Sequence, residues 1–388
     1  MSSQPPFFEP DHAELRERVR AWAAASSAGE PGADVEGAAR ALLRGLGEAG
    51  LLRFAVPDRY GGARRAVSAR DLCIIREELA RQSALADSMF AVQALGSYPI
   101  SLCGSEAQKA ACLPPVAAGD AIAAFALTEP EAGSDAASLQ TRAVRRDGGY
   151  VLQGTKRLIS NAGIADTYVV FASTDPARRA EGISAFVVPA RSAGLRVTEK
   201  TRVISPHPIG TIVFKDCAIP ESALLGKEGE GLKIAFATLE LLRCTVGAAA
   251  VGLGQRALEE ALGFSGRRRQ FGRALAEFQA TQFKLAEMAT ALEAARLMVY
   301  QAAWTVDSGL PAAKLRSSMA KLYATETAQG VIDQALQIHG GSGVVVGSVV
   351  ERLYRDIRAL RIYEGTSEIQ KIVIARELLK TSPGARPG

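Results

Sequence analysis

Residues 150–174 read YVLQGTKRLISNAGIADTYVVFAST. Two runs rich in β-branched and aromatic residues are set apart by Asn, Gly and Asp, the composition of strands and their turns. ISAFVVPA (183–190), LRVTEK (195–200) and TIVFKDCAIP (211–220) continue the pattern, and Asp147-Gly148-Gly149 reads as a hairpin turn. The segment from about 121 to 225 is expected to be a mostly antiparallel β domain.

On both sides of it the texture is helical. Upstream, Leu15, Val19 and Trp22 recur at helix spacing, as do the apolar residues of DLCIIREELA (71–80), with the charges expected on the opposite face. Breaks are expected at PDRYGG (57–62) and at Pro99. Downstream, ATQFKLAEMATALEAARLMVYQAAW (280–304) repeats apolar residues every three or four positions for about six turns. A second helical run begins near Ala313 and a third covers Ile369 to Leu379. Helices of this length pack as a bundle. The reading is an α+β chain in three consecutive parts. These are an N-terminal helical domain over 1–122, a middle antiparallel β domain over 123–230 and a C-terminal four-helix bundle over 231–382, with a disordered tail at 383–388.

With 48% hydrophobic and 22% charged residues, the balance is that of an ordinary globular protein. The net charge of +5 has no Lys/Arg tract behind it. That suits a polyanionic small molecule and gives no indication of nucleic acid. The five cysteines, 73, 103, 112, 217 and 244, are widely spaced without a CxxC. They read as thiols of a reducing cytoplasm, not as disulfides or a metal site. The N-terminus lacks a basic region followed by an apolar one, and no uninterrupted apolar run is long enough to span a bilayer.

The three histidines, His12, His207 and His339, are far apart, and there is no HExxH, GxSxG or P-loop. GLGQRA (252–257) fits a dinucleotide fingerprint, but it lies inside an alanine-rich helical run with no strand before it. Its glycines read as sites of close helix packing. LTEPEAGSD (127–135) is a polar loop whose glycine would let backbone approach a ligand, or simply a capped connection. RRRQFGR (267–273) could bind a pyrophosphate or form a solvated helix end. In RIYEGTSEIQ (361–370), Ser367 and Gln370 make an S-x-x-Q capping box for the last helix. Glu364 then sits just ahead of a helix N-terminus, ready to accept a proton or merely exposed in a turn.

Together these segments resemble the acyl-CoA dehydrogenase family over nearly the whole chain. LTEPEAGSD is similar to its flavin loop, RRQFG (268–272) to its R-x-x-F-G element, QIHGGSG (337–343) to its Q-x-x-G-G-x-G segment, and IYEGTSEIQ (362–370) to its most specific motif. The resemblance implies an FAD enzyme that dehydrogenates an acyl-CoA thioester to the 2-enoyl product, with Glu364 taking the α-proton. It implies that Phe125, Leu127, Thr128 and Leu158 lie against the isoalloxazine ring and that Ser160 bonds near its reactive nitrogen. Arg268, Gln270 and Phe271 would reach a neighbouring subunit's FAD, with Gln337 and Gly341 along its diphosphate and adenosine. Thr366 and Glu368 would touch the FAD of their own subunit. The thioester would run past Ser134, with Glu240 near the pantetheine, Arg243 near the nucleotide end, and Tyr363 and Gly365 at the acyl group. The thioester oxygen would be held by the Glu364 backbone N–H and a ribityl hydroxyl.

Some relatives place the base on a helix of the C-terminal domain. Leu242 stands at that position here and cannot serve. Leu158 replaces a common aromatic, and the Ile204–Ile209 stretch departs from the family pattern. His207 within it reads as a turn residue or as a border of the active site. The implied electron acceptor is an electron-transfer flavoprotein. Alternatives are a dehydrogenase acting on a carrier-protein thioester, or an oxidase. Met89, Phe90, Val92, Leu95 and Tyr98 suggest short, medium, branched or cyclic acyl groups. The implied assembly is a homotetramer built as a dimer of dimers, without metal.

Overall fold

The computed structural model of the chain describes residues 7–26, 32 and 34–381. The expected disordered tail at 383–388 lies outside these residues. In chain order the helices before the sheet are α1 (Pro10–Ser26), α2 (Val35–Glu48), α3 (Ala69–Gln82), α4 (Ala84–Cys103) and α5 (Glu106–Ala118). The strands are β1 (Ala123–Ala126), β2 (Arg142–Arg146), β3 (Gly149–Ser160), β4 (Thr167–Ser173), β5 (Ile183–Pro189), β6 (Leu195–Lys200), β7 (Ile209–Pro220) and β8 (Leu224–Leu225). After them come α6 (Gly231–Arg267), a small hairpin of β9 (Arg269–Gln270) and β10 (Arg273–Ala274), α7 (Gln279–Asp307), α8 (Ala313–His339), α9 (Val349–Leu360) and α10 (Ser367–Thr381). The chain is thus an α+β fold with a β region between two helical regions, as expected.

The elements form two compact units, each drawn from separated stretches. One holds Pro31–Val67 and Ser88–Leu239 and contains the sheet. Its strand order is β6-β7-β3-β2-β4-β5-β8, with β1 parallel to β4 and the neighbours otherwise mostly antiparallel. The β2–β3 turn has only Asp147 and Gly148 between paired Arg146 and Gly149, both with positive φ. Such a turn matches the twist of the strands it joins. Phe171, Val169, Ala185 and Leu225 meet Leu113, Val116 and Leu232 in one apolar core. Pro99 does not break the chain: α4 continues through it to Cys103, with Ile100 fully buried in that core. The burial of the surrounding turn outweighs one lost backbone hydrogen bond.

The other unit holds Met1–Glu30, Ser68–Asp87 and Glu240–Gly388. Its core joins Val246, Ala250, Leu253 and Ala257 of α6 with Leu292 of α7, Ala328 and Ile332 of α8, and Leu353 and Ile357 of α9. Gly252 and Gly254 are helical. A Cβ at Gly252 would lie 2.1 Å from the Glu77 carbonyl oxygen, and one at Gly254 2.6 Å from Leu292 Cδ2. These glycines set close packing, as the sequence suggested. α6 also contains a window apolar enough to cross a membrane, but 78% of that window is buried in the fold, the property of a core helix.

The charges of DLCIIREELA are not on a solvated face. Asp71, Arg76, Glu77 and Glu78 are all buried. Each has partners from other helices: His12 for Asp71, Asp87 for Arg76, Arg16 and Arg296 for Glu77, and Arg16 and Arg20 for Glu78. Buried charge is tolerable when it is paired and hydrogen-bonded, and helical periodicity carries no information about such partners.

Candidate active site

α9 ends at Leu360 and α10 begins at Ser367, so Glu364 lies in the short connection between them. Glu364 has φ +53 and Gly365 φ +91. A side-chain-bearing residue in the left-handed region costs roughly 1–2 kcal/mol. Cross-links hold it there. Lys321 Nζ on α8 donates to the Gly365 carbonyl at 2.8 Å. Gln370 Nε2 donates to the carbonyls of Gly365 at 3.0 Å and Glu364 at 3.3 Å. Glycine is favoured at 365 by the φ of +91, and a Cβ there would also sit 2.5 Å from Gln370 Nε2, forcing that amide to move off the carbonyls it holds.

The cap of α10 differs from the expected Ser367–Gln370 box. Thr366 Oγ1 accepts from the Ile369 N–H at 3.3 Å, so the cap lies one residue earlier. Ser367 instead donates its hydroxyl to Glu326, which also accepts from Arg361 Nε at 2.9 Å. Gln370 is thereby free to hold the carbonyls on either side of the turn.

Glu364 Oε2 is buried without a hydrogen-bond partner among the described residues. Burial raises the carboxyl above the usual carboxylate range. Arg76, Lys321 and Arg243 pull it back down, Asp87 pushes it up, and burial prevails. Arg76 is itself committed to Asp87 by two bonds of 2.7 and 2.9 Å and to Thr245 at 3.0 Å. Burial pushes the Lys321 ammonium down to about 8, against the attraction of Glu364. Arg243 was expected near a nucleotide end. It is 8% exposed, its charge interacts with those of Glu240 and Glu364, and its Nε has no hydrogen-bond partner among the described residues. Arg76, Asp87 and Lys321 were not singled out from sequence, because in sequence they are ordinary members of helical runs.

The other unit assembles the residues expected against the flavin. Phe125, at the end of β1, packs its ring 4.8 Å from that of Phe171. Leu127 and Thr128 follow, and β3 fixes them. Lys156 Nζ donates to the Leu127 carbonyl at 3.0 Å, and the Arg157 N–H to the Thr128 carbonyl at 2.9 Å. Lys156 also pairs with Glu129 at 2.7 Å, wholly buried. Burial alone would raise the Glu129 carboxyl; Lys156 and the N–H groups of Gln140 and Thr141 outweigh it and hold it down. At Leu158 the strand bulges: the register against β7 shifts between Lys156 and Ile159, φ is +55, and the side chain is 48% exposed. A leucine in this conformation is strained, a feature invisible in sequence. Two residues on, Ser160 Oγ lies 3.1 Å from His207 Nε2.

The remaining expected residues occupy three places. Phe271 and Gly272 form the two-residue turn of the β9–β10 hairpin, at φ +51 and +80, and Phe271 is 93% exposed. Arg268 and Gln270 flank it on the surface, and the Arg268 guanidinium makes no ion pair among the described residues. Gln337 is exposed on the last turn of α8, and Gly341 follows with nothing within 4 Å of where a Cβ would stand. Glu368 and Tyr363 are exposed, Thr366 and Glu240 half-buried, and Ser134 is on an exposed loop. An exposed aromatic, a guanidinium without an ion pair among the described residues and open glycine backbone are each groups suited to a large, anionic, aromatic-ended cofactor such as FAD.

Comparison with known proteins matches three consecutive family models: acyl-CoA dehydrogenase N-terminal domain over residues 9–120, middle domain over 124–217 and C-terminal domain over 229–379. An acyl-CoA dehydrogenase of Bacillus subtilis is 43% identical over 341 residues, 87% of this chain and 89% of that protein. Butyryl-CoA dehydrogenase from Megasphaera elsdenii superposes with TM-score 0.91 at 33% identity, covering 98% of this chain and 100% of the other. A chain in a solved structure of the electron transferring flavoprotein of Acidaminococcus fermentans superposes at 0.90 with 36% identity, covering 98% and 100%.

Proposed function

This chain belongs to the acyl-CoA dehydrogenase family of FAD-dependent oxidoreductases, and from that premise we propose that it oxidises a short or medium acyl-CoA to its 2-enoyl thioester with Glu364 as the base. The observation that carries the assignment is the buried, partnerless Glu364 Oε2, whose carboxyl is raised by burial. A carboxylate is a stronger base when its surroundings solvate it poorly.

FAD, when bound, supplies the hydride acceptor for the β-hydrogen. The chain's own groups handle the proton. The α-proton of a thioester leaves only if charge on its carbonyl oxygen is stabilised as it develops. The Glu364 backbone N–H has no acceptor among the described residues and suits that task. Lys321 and Gln370, by fixing the left-handed turn, keep this N–H and the carboxylate of one residue in register. Arg243, expected near the nucleotide end, also acts electrostatically on the base, where its charge limits how far the carboxyl rises. Phe125, Leu127, Thr128, Leu158 and Ser160 would hold the isoalloxazine ring, and Thr366 and Glu368 the same cofactor. Ser134 and Glu240 would line the thioester arm, with Tyr363 and Gly365 at the acyl group.

Electrons would leave to an electron-transfer flavoprotein, in keeping with the matched Acidaminococcus fermentans structure. The enzyme would act in the cytoplasm as a homotetramer, with Arg268, Gln270, Phe271, Gln337 and Gly341 completing a partner subunit's FAD site. The test is anaerobic addition of acyl-CoAs to the FAD-loaded protein, followed by flavin absorbance. Bleaching by short or medium acyl-CoA in the native protein, and not in Glu364→Gln, is the expected result. Bleaching only by a carrier-protein thioester would overturn the substrate, and equal bleaching in the variant would overturn the base.

A further inference from the structure

His207 lies in the Ile204–Ile209 stretch, outside the roles assigned above. Pro206 and Pro208 flank it, fixing φ on both sides. The Asn161 N–H donates to the Pro208 carbonyl at 2.8 Å, and Ser160 pairs with Ile209 where β3 meets β7. The imidazole is therefore held against the end of β3. Its two ring nitrogens have different partners. Nδ1 lies 2.9 Å from the Ser205 carbonyl oxygen and Nε2 lies 3.1 Å from Ser160 Oγ.

These two contacts determine where the protons are. A carbonyl oxygen can only accept, so Nδ1 must carry the hydrogen. A neutral imidazole then has a bare Nε2, which can only accept. Burial favours that neutral ring. The one hydrogen available to the Nε2 contact is the Ser160 hydroxyl proton, which is thereby directed at His207. Ser160 Oγ is left with lone pairs, and no proton, for any other neighbour.

We propose that His207 is a positioning residue that commits the Ser160 proton, so that Ser160 offers the flavin's reactive ring nitrogen an acceptor and not a donor. The proposal rests on the reading above that Ser160 lies against that nitrogen. The nitrogen bears no hydrogen in the oxidised ring and one hydrogen after two-electron reduction. An acceptor-only hydroxyl bonds the second state and gives nothing to the first. His207 thus biases the bound cofactor toward its reduced form, by an amount comparable to one hydrogen bond, about three- to tenfold in the equilibrium ratio.

The experiment is equilibrium reductive titration of the FAD-loaded protein against a reference dye, for native, His207→Leu, Ser160→Ala and the double variant, with FAD content checked for each. In His207→Leu the hydroxyl proton is released toward the oxidised ring. The reduced-to-oxidised ratio at fixed dye potential should fall about three- to tenfold. In the Ser160→Ala background, His207→Leu should have no further effect, because the hydroxyl through which it acts is gone. If Ser160→Ala shifts the ratio but His207→Leu does not, or if the two effects simply add, the proposal is wrong and the flavin placement stands. If Ser160→Ala shifts nothing, that placement fails and the proposal with it. Nitrogen-15 NMR of selectively labelled histidine gives a test independent of whether His207→Leu folds. The chain has only three histidines, so His12→Gln and His339→Gln assign the His207 signal by elimination. An Nδ1-protonated neutral ring is expected; an Nε2-protonated ring or an imidazolium overturns the proposal.

Discussion

At the scale of single residues, most of the proposed chemistry concentrates on Glu364 and what surrounds it. Replacing it with Gln keeps the size and removes the proposed base, so single-turnover flavin reduction should slow by about 10²- to 10⁴-fold. Because burial raises this carboxyl, its active, ionised form is lost on acidification at a higher pH than for an ordinary glutamate. The acid limb of kcat/KM should therefore lie above the usual carboxylate range. Lys321→Met removes a cation that favours the ionised form, so the limb should move further up in pH. An unmoved limb in that variant would show that Lys321 does not act on the base electrostatically. Sequence reading reached Glu364 through the motif around it. It missed Lys321, Arg76 and Asp87, because buried charge is recognisable only through its partners, and those lie on other helices. Arg243 was singled out for the nucleotide end, and its charge interaction with Glu364 was not legible, since its spacing on α6 says nothing about what lies beside it.

At the scale of elements, short-range chemistry was the most legible. Asp147-Gly148 sits in its hairpin as its composition requires, and the five strand runs quoted from the sequence all form strands. The cap of α10 was misread by one residue because Thr366 and Ser367 can both cap, and only the backbone path decides between them. Pro99 was misread because a proline's cost is local, whereas the burial that offsets it is contributed by the rest of the fold. GLGQRA was rightly given to helix packing. Gly252→Ala forces a methyl to 2.1 Å from the Glu77 carbonyl, and backbone cannot easily give way. Such overpacking should cost roughly 1–3 kcal/mol, read as a lower urea midpoint at unchanged slope. The bulge at Leu158 was not legible at all, because leucine carries no sign of a left-handed backbone.

At the scale of the whole molecule, the order of helix, strand and helix was plain from the change in apolar period, and the composition fits it. An assembly in which Phe271 completes another subunit's cofactor site makes a further prediction. Phe271→Ala with Arg268→Ala should purify with less FAD and at a smaller size by light scattering, while helix content stays the same. Full FAD and an unchanged size would count against the shared site. The helical unit carries one more consequence, for the making of the protein. Its early helices bury Glu77 and half-bury Arg16, but the partners Arg296 and Tyr300 lie more than two hundred residues later. As the chain leaves the ribosome, α1 and α3 can pair with each other, but Glu77 and Arg16 still lack their α7 partners, so the two helices gain their full set of buried pairs only once α7 is made. The stretch that forms the sheet is finished by Leu239 and can fold in the meantime. Translation halted before α7 should leave α1 and α3 open to protease while the sheet is protected. A helix made more than two hundred residues later therefore completes the pairing of the first ones.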